Sequence, residues 1–474
     1  AQTACPLSAG SEHKRAREYT RHAYSVVLWV SMALATIVLS TVLLVKSATA
    51  FVQPPPPALS CSQTAAGSMK MKNMHQRRQA RPARTAVSMA ADESMGDGGD
   101  LPGVLCHGEV LFDCIADPEA AGWELARVEE SGAWTAYPGG APANVACALA
   151  KLGVRANFVG AVGRDKEGDE LLQVLQASGV GTELAARIDD YPTRKVMVTR
   201  ALDGDRTFAG FGGGRASDSF ADCQHRLCEM EDVAKDLLRP GSWVVQGTLG
   251  LAYPGSFESH VCLAEWAKEA GAVRYLDINW RPVFWELAGE EGGVSHYESL
   301  ARERITAFAL TADVVKLTDE EAEWLCGVPG EKALGDPRCL HSFFPAAKAI
   351  LVTAGEKGAS YVIGDQTGSM PVFESINVVE TTGAGDAFSA GFVSEAVKSL
   401  SSSVAAAAGA PRGVEDLGRG GREGGDGDDA ARSAAAAARD MVRFASAVGA
   451  LTCCGDGAIK PQPSRGDVLG LLQR

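Results

Sequence analysis

Glu380-Thr381-Thr382-Gly383-Ala384-Gly385-Asp386-Ala387-Phe388-Ser389-Ala390-Gly391-Phe392 is the stretch of this 474-residue chain on which the reading of the fold turns. Gly383, Ala384 and Gly385 leave the backbone bare just before an apolar segment that sets Phe388 and Phe392 one helical turn apart. The pattern predicts a helix whose first amides converge on an anion, reinforced by the positive end of the helix dipole. Asp386 falls in the first turn. A carboxylate there can take the proton from an attacking hydroxyl while the amides hold a phosphoryl group. Each amide donor of this kind is worth roughly 10²–10³ in rate and the base roughly 10²–10⁴. Taken alone, Gly-Ala-Gly-Asp is equally a turn and a helix cap, so the rest of the chain has to decide.

Outward from this stretch, short apolar runs alternate with amphipathic segments from Val104 onward. Strands are predicted at 104–106, 157–161, 243–246, 273–278, 314–317 and 350–353, the pattern of βα units around a mostly parallel sheet. One region breaks the rhythm. Lys195 to Leu202 alternates, Asp203-Gly204 signals a tight turn, and Arg206-Thr207-Phe208 follows, which predicts a hairpin outside the main sheet, a lid spanning about 191–210. The segment 401–433 is dominated by Ala, Gly, Ser, Asp and Arg, and its composition predicts a disordered insertion. Helix is expected to resume after it, capped by Asp429, with Met441, Phe444, Ala445 and Val448 on one face.

The net charge of −14 argues against a broad nucleic-acid or anionic-membrane surface, since phosphate backbones require a basic face. The 46% hydrophobic and 22% charged content fits a globular chain with a sizeable core, and the 12 cysteines follow no paired spacing that would suggest a disulfide framework. No G-x-x-x-x-G-K-[ST] string and no H-E-x-x-H string occurs. The first hundred residues read as an address. A basic stretch with Lys14, Arg15, Arg17 and Arg21 precedes the uncharged run 23–45, and small residues lead to Phe51. An acid-poor, Arg-rich segment follows. The order resembles the bipartite plastid leaders of algae with secondary plastids, which implies a signal peptide over 1–50, a transit segment over 51–99 and a stromal protein over 100–474. The alternative is a membrane anchor at 23–45.

Several further motifs follow one another in order, and together they resemble the ribokinase and fructokinase (PfkB-type) family of carbohydrate kinases. They are Gly108-Glu109-Val110-Leu111-Phe112-Asp113, Pro138-Gly139-Gly140-Ala141-Pro142-Ala143-Asn144, Asp277-Ile278-Asn279-Trp280-Arg281, Lys316-Leu317-Thr318-Asp319-Glu320-Glu321 and Thr353-Ala354-Gly355-Glu356-Lys357-Gly358. The resemblance implies a three-layer α/β/α sandwich with a small β lid. It also implies ATP and Mg²⁺ as cofactors, and a sugar bound by Asp113, Gly139, Gly140, Asn144 and Arg281. Nucleotide contacts would come from Thr318, Glu321, Thr353, Gly355, Gly358 and Ser446, with Glu321 organising hydrated Mg²⁺. A monovalent cation, potassium, would lie at Glu380 and the Thr382 backbone. Catalysis would rest on Asp386 as base and on the Gly383, Ala384 and Gly385 amides.

The fructokinase form of the di-glycine segment points to D-fructose as acceptor. Ribose, a keto-deoxy sugar acid or a nucleoside stays open, as does a silent plastid scaffold in which Thr318, Glu380 and Ser446 depart from the family pattern. The expected partners are the sugar and ATP, with a homodimer through the lid and no membrane or nucleic acid for the mature chain.

Overall fold

A computed structural model describes residues 103–202, 206–286, 293–374, 376–406 and 427–474. The chain divides into two units, Ala1–Gly96 and Asp97–Arg474, and all described residues belong to the second. The expected leader, the run 23–45 and the Asp203-Gly204 turn lie outside the described residues. Among the latter, no helix is long and apolar enough to cross a membrane.

The main sheet has nine strands. These are β1 (Val104–His107), β4 (Ala156–Gly163), β5 (Gly181–Ile188), β8 (Trp243–Gln246), β9 (Val273–Asp277), β10 (Val314–Thr318), β11 (Ala349–Thr353), β12 (Ala359–Ile363) and β13 (Gln366–Met370). Their spatial order is β13-β12-β11-β10-β9-β8-β1-β4-β5, parallel from β5 through β11, with β12 and β13 antiparallel at one edge. All six predicted strands are present.

Both faces of the sheet are covered, because alternate residues of each strand enter different cores. Tyr275, Val314 and Leu351 pack with Phe388, Phe392, Met441 and Val442 on one side. Leu276, Val315 and Ile350 pack with Trp285, Ile305 and Phe344 on the other. The first side rests on two paired helices, Ala384–Ala406 and Gly427–Thr452, on which Phe388, Phe392, Met441, Phe444, Ala445 and Val448 are all buried as their spacing predicted. These helices correct the insertion's expected limits. Helix continues to Ala406 and begins again at Gly427, so only 407–426 lies outside the described residues, and Asp429 sits inside the helix instead of capping it.

The lid is larger than the predicted hairpin. Strands β6 (Lys195–Arg200) and β7 (Arg206–Phe211) join β2 (Leu111–Ala116) and β3 (Trp134–Gly139) in a second sheet of order β3-β2-β6-β7. Asp113 therefore lies in the middle of a lid strand and not at the end of the first strand of the main sheet. Gly108, at φ 150, breaks the chain between β1 and β2.

Candidate active site

The carboxyl ends of the parallel strands line one edge of the main sheet, where open α/β sheets place ligands. Asp386 stands there, in the first turn of the helix Ala384–Ala406. Asn144, in the first turns of the helix Ala141–Lys151, donates from Nδ2 to Asp386 Oδ2 at 2.8 Å across 242 positions of sequence. The two glycines before that helix are required by close approach. A Cβ on Gly139 would meet Asp113 Oδ2 at 2.5 Å. Gly140 has φ 101, and a Cβ there would stand 2.6 Å from Glu109 O.

Burial pushes the Asp386 carboxyl up to about 6, with the Asn144 hydrogen bond acting against the shift and Asp277 adding to it. Asp113 also rises to about 6, through burial first and then the charges of Asp386 and Glu380. Arg281 opposes both shifts. It is exposed, and its Nη1 donates to the Trp280 carbonyl at 2.8 Å.

Of the three amides expected to hold an anion, that of Ala384 donates to Thr381 O at 3.2 Å. Those of Gly383 and Gly385 belong to the stretch whose N–H groups have no partner inside the helix. Gly383 has φ 75 and packs so closely on the segment after Gly457 that an added Cβ would lie 2.7 Å from Ala458 Cβ. Behind this turn, Glu380 Oε1 accepts from Thr382 Oγ1 at 2.7 Å and from Arg206 Nη1, while Oε2 accepts from Gly457 N at 3.0 Å. Burial acts to raise the Glu380 carboxyl, and these donors outweigh it, holding it below the usual glutamate value.

Among the residues expected to meet the nucleotide, Thr318 caps the helix Asp319–Cys326 in a reciprocal capping box with Glu321. Glu321 is buried, and its two oxygens accept from Trp280 N at 2.7 Å and Thr318 N at 2.8 Å. Thr353 is the register partner of Thr318 on the neighbouring strand. After it, Gly355 (φ 51) and Gly358 (φ 89) shape the turn into antiparallel β12, and Lys357 Nζ reaches Asp319 at 3.1 Å. Ser446 is partly buried on the helix Gly427–Thr452, one turn from Gly449, which packs on Ala384 and Phe388 of the helix Ala384–Ala406.

Residues 102–414 match the family described as pfkB family carbohydrate kinase. The chain belongs to that family. As a pfkB member it is an ATP-dependent sugar kinase, a transferase. It is 30% identical over 383 residues to "Probable fructokinase-6, chloroplastic" of Arabidopsis thaliana, covering 81% of this chain and 85% of the relative. The solved structure of a Xylella fastidiosa fructokinase with bound ATP superposes with TM-score 0.59 at 27% identity, covering 78% of this chain and 98% of the other. A Vibrio cholerae fructokinase double mutant, in a fructose, ADP and potassium ion bound form, gives TM-score 0.56 at 22% identity, with 78% and 98% covered, a likeness of fold.

Three charged residues of this pfkB site were not anticipated as functional. Lys316 Nζ bonds both oxygens of Asp277 at 3.0–3.1 Å, and the two residues are register partners on adjacent parallel strands. The ammonium lies 3.1 Å from where a Gly385 Cβ would stand, so it adds positive charge directly under the amide turn. Burial opposes its charge, but Asp277, Glu321 and Asp386 together hold it above the ordinary lysine value. The signal was available in Val314-Val315-Lys316-Leu317, a lysine inside an otherwise apolar buried strand, where an unpaired charge would be untenable. Glu109, the third, accepts from Ala141 N at 2.9 Å and is raised by burial to about 7.

Proposed function

We propose that this chain is a fructokinase, transferring the γ-phosphoryl group of ATP to the 6-hydroxyl of D-fructose. The observation that carries this reading is the Asn144–Asp386 bond, which joins the fructokinase-like di-glycine segment to a carboxylate at a glycine-rich helix start. In the proposed step the fructose hydroxyl oxygen bonds to the γ-phosphorus, and the bond from that phosphorus to the bridging oxygen of ADP breaks. The hydroxyl proton passes to Asp386. With a pKa near 6, Asp386 is largely ionised at neutral pH yet basic enough to accept that proton as it is released.

Negative charge developing on the phosphoryl oxygens meets the Gly383 and Gly385 amides, the helix start and the Lys316 ammonium. Asp113, Asn144 and Arg281 orient the sugar, with Gly139 and Gly140 admitting it close to the backbone. Thr318, Thr353, Gly355, Gly358 and Ser446 surround the nucleotide.

Glu321 fits Mg²⁺ held through water. Two of its roughly four lone-pair positions are occupied by backbone donors, and among the described residues no cluster of His, Cys, Asp or Glu could hold a metal unaided. That suits an ion brought by the nucleotide phosphates, where it neutralises charge between the β- and γ-phosphates when bound. A potassium ion at Glu380 and Thr382 does not fit, because three donors take three of the roughly four lone-pair positions of Glu380 and one of those donors is already a cation, the Arg206 guanidinium.

A plastid location is consistent with the leader-like first hundred residues and with the chloroplastic relative. Steady-state phosphorylation of a panel of fructose, glucose, ribose, a keto-deoxy sugar acid and adenosine, with Asp386→Asn as control, tests the reading. Fructose should be preferred and the variant nearly silent. Equal inertness of both proteins on every acceptor would refute it.

A further inference from the structure

We infer that Arg206 supplies from the lid the positive charge that a monovalent cation would otherwise bring to Glu380, so that this kinase works without potassium. The inference rests on the sugar-kinase reading of the site only for its catalytic arm.

Glu380 lies six positions before Asp386, and its side chain is 8% exposed. Its field reaches the catalytic acids, since it is one of the charges that raise Asp113. An uncompensated carboxylate behind the Gly383–Gly385 turn would oppose an incoming phosphoryl group, because like charges across a partly buried gap repel strongly. The charge has to be balanced by a cation in contact with it.

The described residues place one such cation there. Arg206 Nη1 donates to Glu380 Oε1, and the Arg206 side chain is 35% exposed. The remaining donors to the carboxylate, Thr382 Oγ1 and Gly457 N, are neutral. A bare metal ion needs oxygen lone pairs, and a guanidinium offers none, while Arg206, Thr382 and Gly457 together leave Glu380 about one of its four, beside a charge that would repel a second cation. The two are therefore mutually exclusive at this carboxylate.

The balance also has a mechanical side. Glu380 fixes Gly457, and the segment Gly457–Ala458 packs on Gly383, so the carboxylate braces the turn whose amides receive the phosphoryl group. Arg206 begins β7, paired in register with Arg200 across the hairpin. The charge is thus carried by the lid, and a lid lifted from the sheet removes it. Arg206 is in this sense a positioning residue that links lid and amide turn.

The test compares wild type, Arg206→Ala and Arg206→Ala/Glu380→Gln in potassium chloride and in tetramethylammonium chloride at equal ionic strength, by thermal melting and by turnover. The wild type should melt at the same temperature in both salts and turn over within about 2-fold, since one screened charge is already in place. In tetramethylammonium, Arg206→Ala should lose on the order of 10-fold in kcat, as the turn loses part of its preorganisation. Potassium should recover most of that loss and raise the melting temperature of this variant by about 2–4 °C, because it binds only the folded state. The double variant should show no potassium effect.

Potassium activation or stabilisation of the wild type equal to that of Arg206→Ala would overturn the inference. So would an Arg206→Ala enzyme that gains no potassium response by either measure. The melting arm reads the site even if every sugar assay is blank, which separates failure of this inference from failure of the fructokinase reading.

Discussion

Replacing Asp386 by Asn should abolish turnover and stabilise the fold, and both effects follow from one geometry. Asp386 is the carboxylate that stands in the first helical turn beside the glycine amides, so kcat should fall by roughly 10²–10⁴ or more. The stability gain comes from the same burial that tunes the base. A rise from the ordinary value near 3.8 to about 6 corresponds to roughly 3 kcal/mol of unfavourable ionisation. Asp386 is only partly buried, and discounting for residual solvent access leaves about 1–2 kcal/mol.

An Asn in its place carries no charge, and its new amide can donate to Asn144. The Oδ1 atom of Asn144 is buried without a partner, so a flip of that amide restores the contact. For an acid whose folded pKa is raised, the penalty is absent below its unfolded value near 4, grows between about 4 and 6, and is complete above 6. Wild type and Asp386→Asn should therefore unfold alike in urea at pH 4, with the variant more stable by about 1–2 kcal/mol at pH 8. A stability gain over wild type no larger at pH 8 than at pH 4, or a variant less stable than wild type throughout, would refute the account of Asp386 as a base whose ionisation is penalised by its surroundings.

Other consequences can be measured directly. The pH profile of kcat/KM should rise through about 6 and level above it, the apparent value belonging to the Asp386–Asp113 pair. Asn144→Ala removes a hydrogen bond that favours the ionised carboxylate, so its acidic limb should move to higher pH. Lys316→Met leaves Asp277 buried and unpaired and should destabilise by about 3–5 kcal/mol in denaturant titration, whereas Lys316→Met/Asp277→Leu should recover most of that loss. Replacing the hairpin Lys195–Phe208 by a short turn should weaken sugar binding far more than nucleotide binding in calorimetry, and unchanged sugar affinity would remove the lid from the substrate site.

The parts of this molecule legible in the sequence are those written in local order. Apolar runs in Val314–Thr318 and Ala349–Thr353 and helical spacing from Phe388 to Phe392 are each satisfied within one element, and Gly139-Gly140 and Gly383 mark turns in their own stretch of chain. The lid strands β2 and β3 escaped this reading for a physical reason. Leu111–Ala116 interrupts an apolar run with the single Asp113 and so shows no regular alternation, and Trp134–Gly139 carries Pro138 where a ladder donor is expected.

The site's long-range pairs were illegible for a different reason. Asn144 and Asp386 are 242 positions apart, and Arg206 and Glu380 are 174 apart. No periodicity records which charge meets which across such spans. Glu380 illustrates the consequence. In the sequence it is a departure from the family pattern, with no visible partner. In the fold its side chain reaches an arginine on the lid, a hydroxyl two residues on and an amide beyond the second helix at once. A residue expected from the sequence to hold potassium is thus, in three dimensions, a carboxylate paired with an arginine of the same chain.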